Sequence, residues 1–144
     1  AEFSVGDIRL TTKLIDGSFP DYKRVIPVGN DKIISVDVDL LSAAVDRVST
    51  IASDKSRAIK LNISAGQLVL SATNPDASSA TEMLEITYAG EPIDIGFNAR
   101  YLMDILSQVQ GEMIAIELAD SGSPSLLRDP EDDTSIFVLM PMRV

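Results

Sequence analysis

One pattern constrains the fold most: a short apolar strand that leads directly into an amphipathic helix occurs twice. The first strand-to-helix junction is Val38-Asp39, and the second, Phe97-Asn98, follows about 59 positions later. Three further apolar segments follow each helix, so the order is strand–helix–strand–strand–strand, twice. Two such helices lying on antiparallel strands predict an α+β domain built from a duplicated unit.

The first unit is predicted to begin with a strand at 33–38. Asp39 is expected to cap the helix, because its carboxylate can accept a hydrogen bond from a first-turn N–H. The apolar face of this helix recurs at three- and four-residue spacing and consists of Leu41, Ala44, Val45, Val48 and Ala52. The strands that follow are expected at 59–63, 68–73 and 83–88.

The second unit repeats this order with a strand at 93–97 and Asn98 as the helix cap. Gly111 is expected to stop the helix, since glycine is favoured just past a helix C-terminus. The predicted apolar stripe consists of Leu102, Ile105, Leu106 and Val109. The remaining strands are expected at 113–118, 125–128 and 136–140.

The region before the first unit has a different character. Residues 3–15 alternate in polarity and predict extended chain, which Asp16-Gly17 interrupts. The prolines and turn formers of 19–30 are typical of a linker between a preceding domain and a new one. Because the chain begins at Ala1 and not at Met, we expect it to be a piece of a longer protein.

Composition excludes several kinds of function. The chain has no cysteine and no histidine, which removes disulfides, thiolate zinc sites and imidazole catalysis. We therefore expect a non-enzymatic protein without a cofactor or metal, located in the reducing cytoplasm. No signal peptide or membrane-spanning apolar run is found, so no membrane role is expected. With 22 acidic and 12 basic residues, the net charge of −10 disfavours tight non-specific binding to nucleic acid.

Four segments are distinctive: KLIDGSFPDY at 13–22, EITY at 85–88, IGFN at 95–98 followed by Tyr101, and MPMR at 140–143. Together they make the chain resemble the C-terminal domain of the bacterial sliding clamp family, the beta subunits of DNA polymerase III. The resemblance implies that 1–19 ends the middle clamp domain and begins the interdomain crossing, and that 20–144 is the C-terminal domain. It also implies a processivity factor with the DNA-clamp fold, in which two subunits form a ring around duplex DNA.

The resemblance further implies a pocket that docks linear motifs of the replicative polymerase, the clamp loader and repair polymerases. Methionine and tyrosine suit that role, because they provide adaptable apolar contacts to several partners. Ser56, Gly122 and Pro124 depart from some relatives and put the shape of the pocket in doubt. The expected pocket residues are Pro20, Arg24, Val25, Asn98, Tyr101, Val138, Leu139, Met140, Pro141, Met142 and Arg143.

Two further surfaces follow from the resemblance. The inner helices would face DNA, and Arg47 and Arg100 are the candidate DNA-facing residues, although both also fit ordinary solvated helix positions. An exposed Ile51 beside acidic residues would help the homodimer form. The expected subunit contact consists of Thr50, Ile51, Asp76 and Glu82.

Three alternatives stay open from the sequence. The acidic segment 129–133 could hold Mg²⁺ or Ca²⁺, but its spacing lacks the EF-hand pattern and favours a solvated hairpin loop. Paired carboxylates, such as Asp37 with Asp39 or Asp94 with Asp104, could serve a hydrolase. A generic peptide-binding adaptor unrelated to replication is the third.

Overall fold

The computed structural model describes residues 1–18, 20–52, 57–76 and 78–143. Within these residues it contains two α-helices and ten strands. The helices are α1 (Val38–Ser49) and α2 (Ala99–Leu106). The strands are β1 (Glu2–Val5), β2 (Ile8–Thr11), β3 (Lys32–Asp37), β4 (Ala58–Ser64), β5 (Gln67–Thr73), β6 (Ser79–Glu85), β7 (Ile93–Asn98), β8 (Met113–Leu118), β9 (Ser125–Arg128) and β10 (Ile136–Leu139).

The strands of the duplicated units form two four-stranded antiparallel sheets, in the orders β6-β5-β4-β7 and β10-β9-β8-β3. The first strand of each unit therefore pairs with the other unit. Val36 of β3 lies opposite Ile114 of β8, and Ile95 of β7 lies opposite Leu61 of β4. Each four-stranded sheet therefore contains strands of both units, and neither unit can complete a sheet without a strand of the other. The predicted α+β class and the twofold strand–helix–strand–strand–strand order are confirmed.

The core lies where the helices pack on the sheets. Helix α1 contacts α2 and strands β3 to β6, whereas α2 contacts β7 and β10. Phe97 is the largest of the fully buried side chains, and complete burial of such a residue contributes about 1.5–3 kcal/mol. Neither described helix is long and apolar enough to cross a membrane. The helices bury Leu41, Ala44, Val45 and Val48 from α1, and Ala99, Leu102 and Leu106 from α2.

The cap of α1 is Asp37, so the prediction of Asp39 was wrong. The Asp37 carboxylate accepts a hydrogen bond from the backbone N–H of Leu40 at 2.9 Å. Asp39 is an exposed residue of the first helical turn. Both acids are good caps by type, and the β3–β8 pairing, which runs to Asp37, decides where the helix begins. Ala52 lies beyond the helix end and packs half-buried against the core.

Two other boundaries also differ from the prediction. Helix α2 ends at Leu106, before Val109 and Gly111, so Gly111 is not its terminating residue. Strand β6 spans Ser79–Glu85 and not 83–88. Its N-terminal half alternates small and hydroxyl residues, which gave too weak an apolar signal in the sequence. The other strands agree with the prediction to within one or two residues.

The N-terminal segment is a hairpin and not the single extended stretch that was predicted. Gly6 adopts φ +56°, a conformation that favours glycine, and turns β1 back onto β2. Phe3 then lies opposite Leu10, and Val5 opposite Ile8. Alternation of polarity predicted extended chain correctly, but it carries no information on where the chain reverses.

Candidate functional site

An apolar cavity of about 680 Å³ lies between α2 and the C-terminal segment, and we call it the tail cavity. Asn98 caps α2 by accepting hydrogen bonds from the backbone N–H groups of Arg100 and Tyr101, at 3.0 and 3.3 Å. This cap places the half-exposed Tyr101 ring at the cavity edge. The full lining is Asn98, Tyr101, Asp104, Ile105, Val138, Leu139, Met140, Pro141 and Met142.

The opposite wall of the tail cavity is made by the end of the chain. Strand β10 stops at Leu139, and Pro141 has no N–H to continue the ladder. The chain then crosses to the other sheet, where the N–H of Met142 donates to the carbonyl of Gly96 at 2.8 Å. The tail is therefore held at both ends, with Met140 60% exposed between them.

A second cavity of about 590 Å³, which we call the linker cavity, is also lined by Met140. A short 3-10 turn at Tyr22–Arg24 leads into it. Val138 and Met140 line both cavities, so the two form one branched apolar surface. The lining is Arg24, Val25, Ile26, Pro27, Val28, Asn30, Ala119, Ser123, Pro124, Val138 and Met140.

Hydrogen bonds fix the loops around the linker cavity. The amide of Asn30 donates to the carbonyls of Glu117 and Pro124, at 2.8 and 3.1 Å. Asp120 accepts hydrogen bonds from the backbone N–H groups of Gly122 and Ser123, both at 2.7 Å. The first of these, with the Ser123 hydroxyl, holds the pKa of the Asp120 carboxyl below its ordinary value. The bonds to the Asp120 carboxylate are charge-assisted, and together with those of Asn30 they hold the loops of this wall in place.

The structure brings together most of the residues expected in the pocket, in the two connected cavities. Pro20 is exposed and belongs to neither lining. Arg143 lines a different cavity, beside Lys60. Pro124 lines the linker cavity as its position suggested, Gly122 lines neither, and Ser56 lies outside the described residues.

Two groups of lining residues were not expected from the sequence. Asp104 and Ile105 follow Tyr101 at three- and four-residue spacing, so a helical face drawn through Tyr101 would have included them. The residues of the second group, which come from the linker and from the β8–β9 loop, have no such periodicity. They become neighbours of Val138 only in the folded chain. The second group is Ile26, Pro27, Val28, Asn30, Ala119 and Ser123.

Arg47, expected to face DNA, is bound by Glu82, expected at the subunit contact. Two hydrogen bonds of 2.6 and 2.9 Å join the guanidinium to both carboxylate oxygens. The Arg47 guanidinium lowers the pKa of Glu82. Because each of these side chains is the other's partner, their charges are matched within this chain. Arg100, in contrast, is exposed at the start of α2 and lines a groove between the helices.

The remaining residues of the expected subunit contact lie near the end of α1 and the start of β6. Thr50 is exposed and donates from its hydroxyl to the carbonyl of Asp46 at 3.1 Å. Asp76 is also exposed. Ile51 is half-buried, so the expectation of an exposed side chain was wrong. Its backbone N–H donates a hydrogen bond to the carbonyl of Val48 at 3.2 Å, which continues the turn at the end of α1.

The acidic segment 129–133 lies in the loop of the β9–β10 hairpin, as expected from the sequence. Asp129 is buried, however, so the expectation of a solvated segment was wrong at this residue. Its carboxylate accepts from the N–H groups of Glu131, Gly111 and Gln110, at 2.9, 2.9 and 3.2 Å. These bonds, led by that of Glu131, hold the pKa of Asp129 below its ordinary value. Within the described ranges, no three acidic side chains are grouped to hold a metal ion.

Of the four carboxylates considered for a hydrolase, Asp37 and Asp94 already have structural partners. Lys60, the larger cause, and Asn62 together lower the pKa of Asp94. Asp37 caps α1, and Asp104 lies in the tail cavity apart from Asp94. A general acid needs a raised pKa, so Asp94, whose pKa is lowered, is poorly suited to that role.

Comparisons with known proteins agree with this architecture. Residues 23–143 match the family described as DNA polymerase III beta subunit, C-terminal domain. The beta sliding clamp of Caulobacter vibrioides is 49% identical over 142 residues, which are 99% of this chain and 38% of that protein. A DnaN sliding clamp structure from Bartonella birtlesii bound to griselimycin has 50% identity and a TM-score of 0.93, over 99% of this chain and 38% of its own.

A further solved structure extends the likeness at lower identity. The DNA polymerase III subunit beta from Pseudomonas aeruginosa has 38% identity and a TM-score of 0.94, and covers 99% of this chain and 39% of its own. The chain therefore spans about two fifths of the length of the relatives that it matches.

Proposed function

The chain belongs to the DNA polymerase III beta subunit family and matches its C-terminal domain, and on this premise we propose that it docks linear motifs of partner proteins. The full-length protein would be a sliding clamp, a non-catalytic processivity factor that encircles duplex DNA as a homodimer. Residues 1–19 would end the middle domain, and 20–144 would form the C-terminal domain. The replicative polymerase, the clamp loader and repair polymerases would share one docking site.

The observation that carries this proposal is the pair of cavities that share Val138 and Met140. An extended peptide could place one apolar anchor in each cavity and run across Met140 between them. Only a few backbone and rim groups would be needed to fix its direction. Two buried apolar anchors on a short peptide are consistent with micromolar affinity, or about −8 kcal/mol.

The composition of the site suits several partners. Met140 and Met142 can adopt many side-chain conformations with little cost, whereas Tyr101 and Pro141 are rigid. A surface that combines both types can accept different apolar anchors without losing its overall shape. The Bartonella birtlesii clamp binds griselimycin, and we propose that this chain binds it too, in competition with peptide motifs.

The surface charge fits a protein that encloses DNA without gripping it. Each phosphate contact adds affinity and salt dependence, so an acidic chain with few free cations would leave the duplex able to slide. The end of α1 and the start of β6, with Thr50, Ile51 and Asp76, would meet the other subunit of the ring. Such a protein would work in the bacterial cytoplasm.

The proposal is tested by titrating a fluorescent peptide of the Gln-x-x-Leu-Phe type with this chain and with a variant that lacks residues 140–144. We expect micromolar binding by the wild type and a loss of at least tenfold on truncation. Unlabelled griselimycin should displace the peptide from the wild type. Binding that survives truncation would place the peptide elsewhere and contradict the assignment of the tail cavity.

A further inference from the structure

A single charged side chain, Asp104, lies among the described residues that line the tail cavity. It follows Tyr101 by one helical turn, so both side chains project from the same face of α2. Both are exposed, which places the carboxylate and the ring at the mouth of the cavity and not in its floor. The apolar surface that we assign to partner motifs therefore has one negative charge on its rim.

The Asp104 carboxylate is available to a ligand. The backbone carbonyl of this residue accepts a hydrogen bond from the hydroxyl of Ser107 at 2.8 Å. Within the described ranges, however, neither an ion pair nor a hydrogen bond engages its side chain. Arg100, one turn earlier on α2, lines the groove between the two helices and not the tail cavity. No described cation therefore matches the charge of Asp104, whereas that of Glu82 is matched by Arg47.

The linker cavity differs from the tail cavity in charge. Arg24 is the charged residue of its described lining, and the guanidinium lies 3.3 Å from the carboxylate of Asp21. Its positive charge is thus paired within the chain, although both side chains are exposed. The two cavities share Val138 and Met140. A peptide that spans them would therefore meet, among the described lining residues, an unpaired charge only at Asp104.

We propose that Asp104 is a specificity-determining residue of the docking site, which selects partner motifs that carry a lysine or arginine beside the apolar anchor of the tail cavity. This inference rests on the proposed function, since it assumes that a linear motif occupies that cavity. A bound motif would remove water from Asp104, and an acidic or apolar neighbour would leave the carboxylate without a partner. A cation would replace the lost hydrogen bonds and could also lie over the Tyr101 ring.

The test measures charge selectivity with fluorescent peptides of the Gln-x-x-Leu-Phe type. One lysine is placed in turn before the motif, at each variable position and after the motif, and each peptide has a counterpart with acetyl-lysine at that place. Acetylation removes the charge of the side chain. For the wild-type chain, we expect the charged peptide to bind about fivefold more tightly at one or two adjacent positions, near the upper end for a partly exposed ion pair. Added salt should reduce this preference.

Three variants separate Asp104 from the overall acidity of the chain, whose net charge is −10. Asp104→Asn should bring the affinities of the charged and acetylated peptides to within about twofold of each other, and it should bind the acetylated one at least as tightly as the wild type does. Asp39→Asn removes the same charge from an exposed helix position outside both cavities and should keep the wild-type preference. Asp104→Lys should prefer glutamate where the wild type prefers lysine. Because both positions are exposed, all three variants should unfold at nearly the wild-type temperature.

Two results would overturn the inference directly: equal binding of charged and acetylated peptides to the wild type at every position, or a preference for lysine that Asp104→Asn retains. A preference lost equally in Asp104→Asn and Asp39→Asn would also reject it, because total charge would then explain the effect. In each of these cases the peptides still bind, so the proposed docking function stands. If no peptide binds the wild type, the docking function itself is rejected, and the role of Asp104 with it.

Discussion

The backbone N–H of Met142 donates to the carbonyl of Gly96 at 2.8 Å, and this bond joins the end of one sheet to the edge strand of the other. The same relationship occurs in the first unit, where Thr87 and Ser35 exchange two backbone hydrogen bonds of 3.1 and 3.2 Å. The contact of Met142 with Gly96 therefore repeats, in the second unit, the contact of Thr87 with Ser35 in the first. In the second unit, the segment that makes this contact also forms one wall of the tail cavity.

Met142→Pro tests whether this bond holds the tail against the sheet. Proline removes the N–H donor, and loss of one such bond costs about 0.5–1.5 kcal/mol. We expect a global stability close to that of the wild type and a loss of motif-peptide affinity of at least fivefold, measured by fluorescence anisotropy. Because the Met142 side chain also lines the tail cavity, Met142→Ala, which removes that side chain but keeps the N–H, is the control and should bind more tightly than Met142→Pro. Equal affinities of Met142→Pro and the wild type would show that the tail needs no anchoring.

Tyr101→Ala tests the rigid wall of the tail cavity. The ring is 58% exposed, so its removal should affect folding stability only slightly. At a peptide site, loss of an aromatic contact typically costs about 2 kcal/mol, which corresponds to roughly 30-fold in affinity. Met83→Ala removes a side chain of similar exposure, 64%, that lines neither cavity. A Tyr101 variant that binds as tightly as the Met83 variant would exclude the ring from the site.

Asp37→Ala and Asp39→Ala distinguish the two possible caps of α1. Because Asp37 accepts the first-turn hydrogen bond from Leu40, its removal should lower the free energy of unfolding by about 1 kcal/mol. Asp39 accepts no described backbone bond, and its removal should change stability by less than about 0.5 kcal/mol. Urea denaturation of both variants measures the difference, and the reverse order would move the helix start to Asp39.

Asp129 predicts a dependence of stability on pH. Its pKa is lowered from the ordinary value of 3.8 by backbone hydrogen bonds that exist only in the folded chain. The ionised carboxylate therefore stabilises the fold above pH 3.8, and this contribution is lost as the pH falls through the lower folded value. The difference in Tm between the wild type and Asp129→Asn should shrink steadily below about pH 4. A difference that is constant from pH 7 to pH 2.5 would be inconsistent with this role.

Gly111→Ala tests the close approach of the α2–β8 connection to Asp129. A Cβ at Gly111 would lie 2.6 Å from Asp129 Oδ1. The carboxylate would therefore have to move away from the N–H groups whose hydrogen bonds it accepts. We expect a loss of about 1–3 kcal/mol in the free energy of unfolding. In Gly122→Ala the nearest atom, Asp120 Oδ1, is at 3.7 Å, an ordinary contact, and this control should be nearly neutral. Equal stabilities of the two variants would show that the hairpin loop can shift freely.

The sequence by itself determined the features that depend on near neighbours along the chain. The three- and four-residue spacing of Leu41, Val45 and Val48 defined the buried face of α1. Asn98 was identifiable as a cap, since capping uses N–H groups two and three residues away. The duplication followed from the order of these local patterns, and the family resemblance brought most of the pocket residues to attention.

The tertiary structure alone decided which distant groups meet. Nothing local pairs β3 with β8, joins Arg47 to Glu82 across 35 positions, or places Gly111 against Asp129. Such contacts form because burying both helices leaves only certain strand edges and loops adjacent, and their charged or polar groups must then find partners there. For the same reason the linker residues Ile26 and Pro27 became part of the candidate site only once the chain had folded.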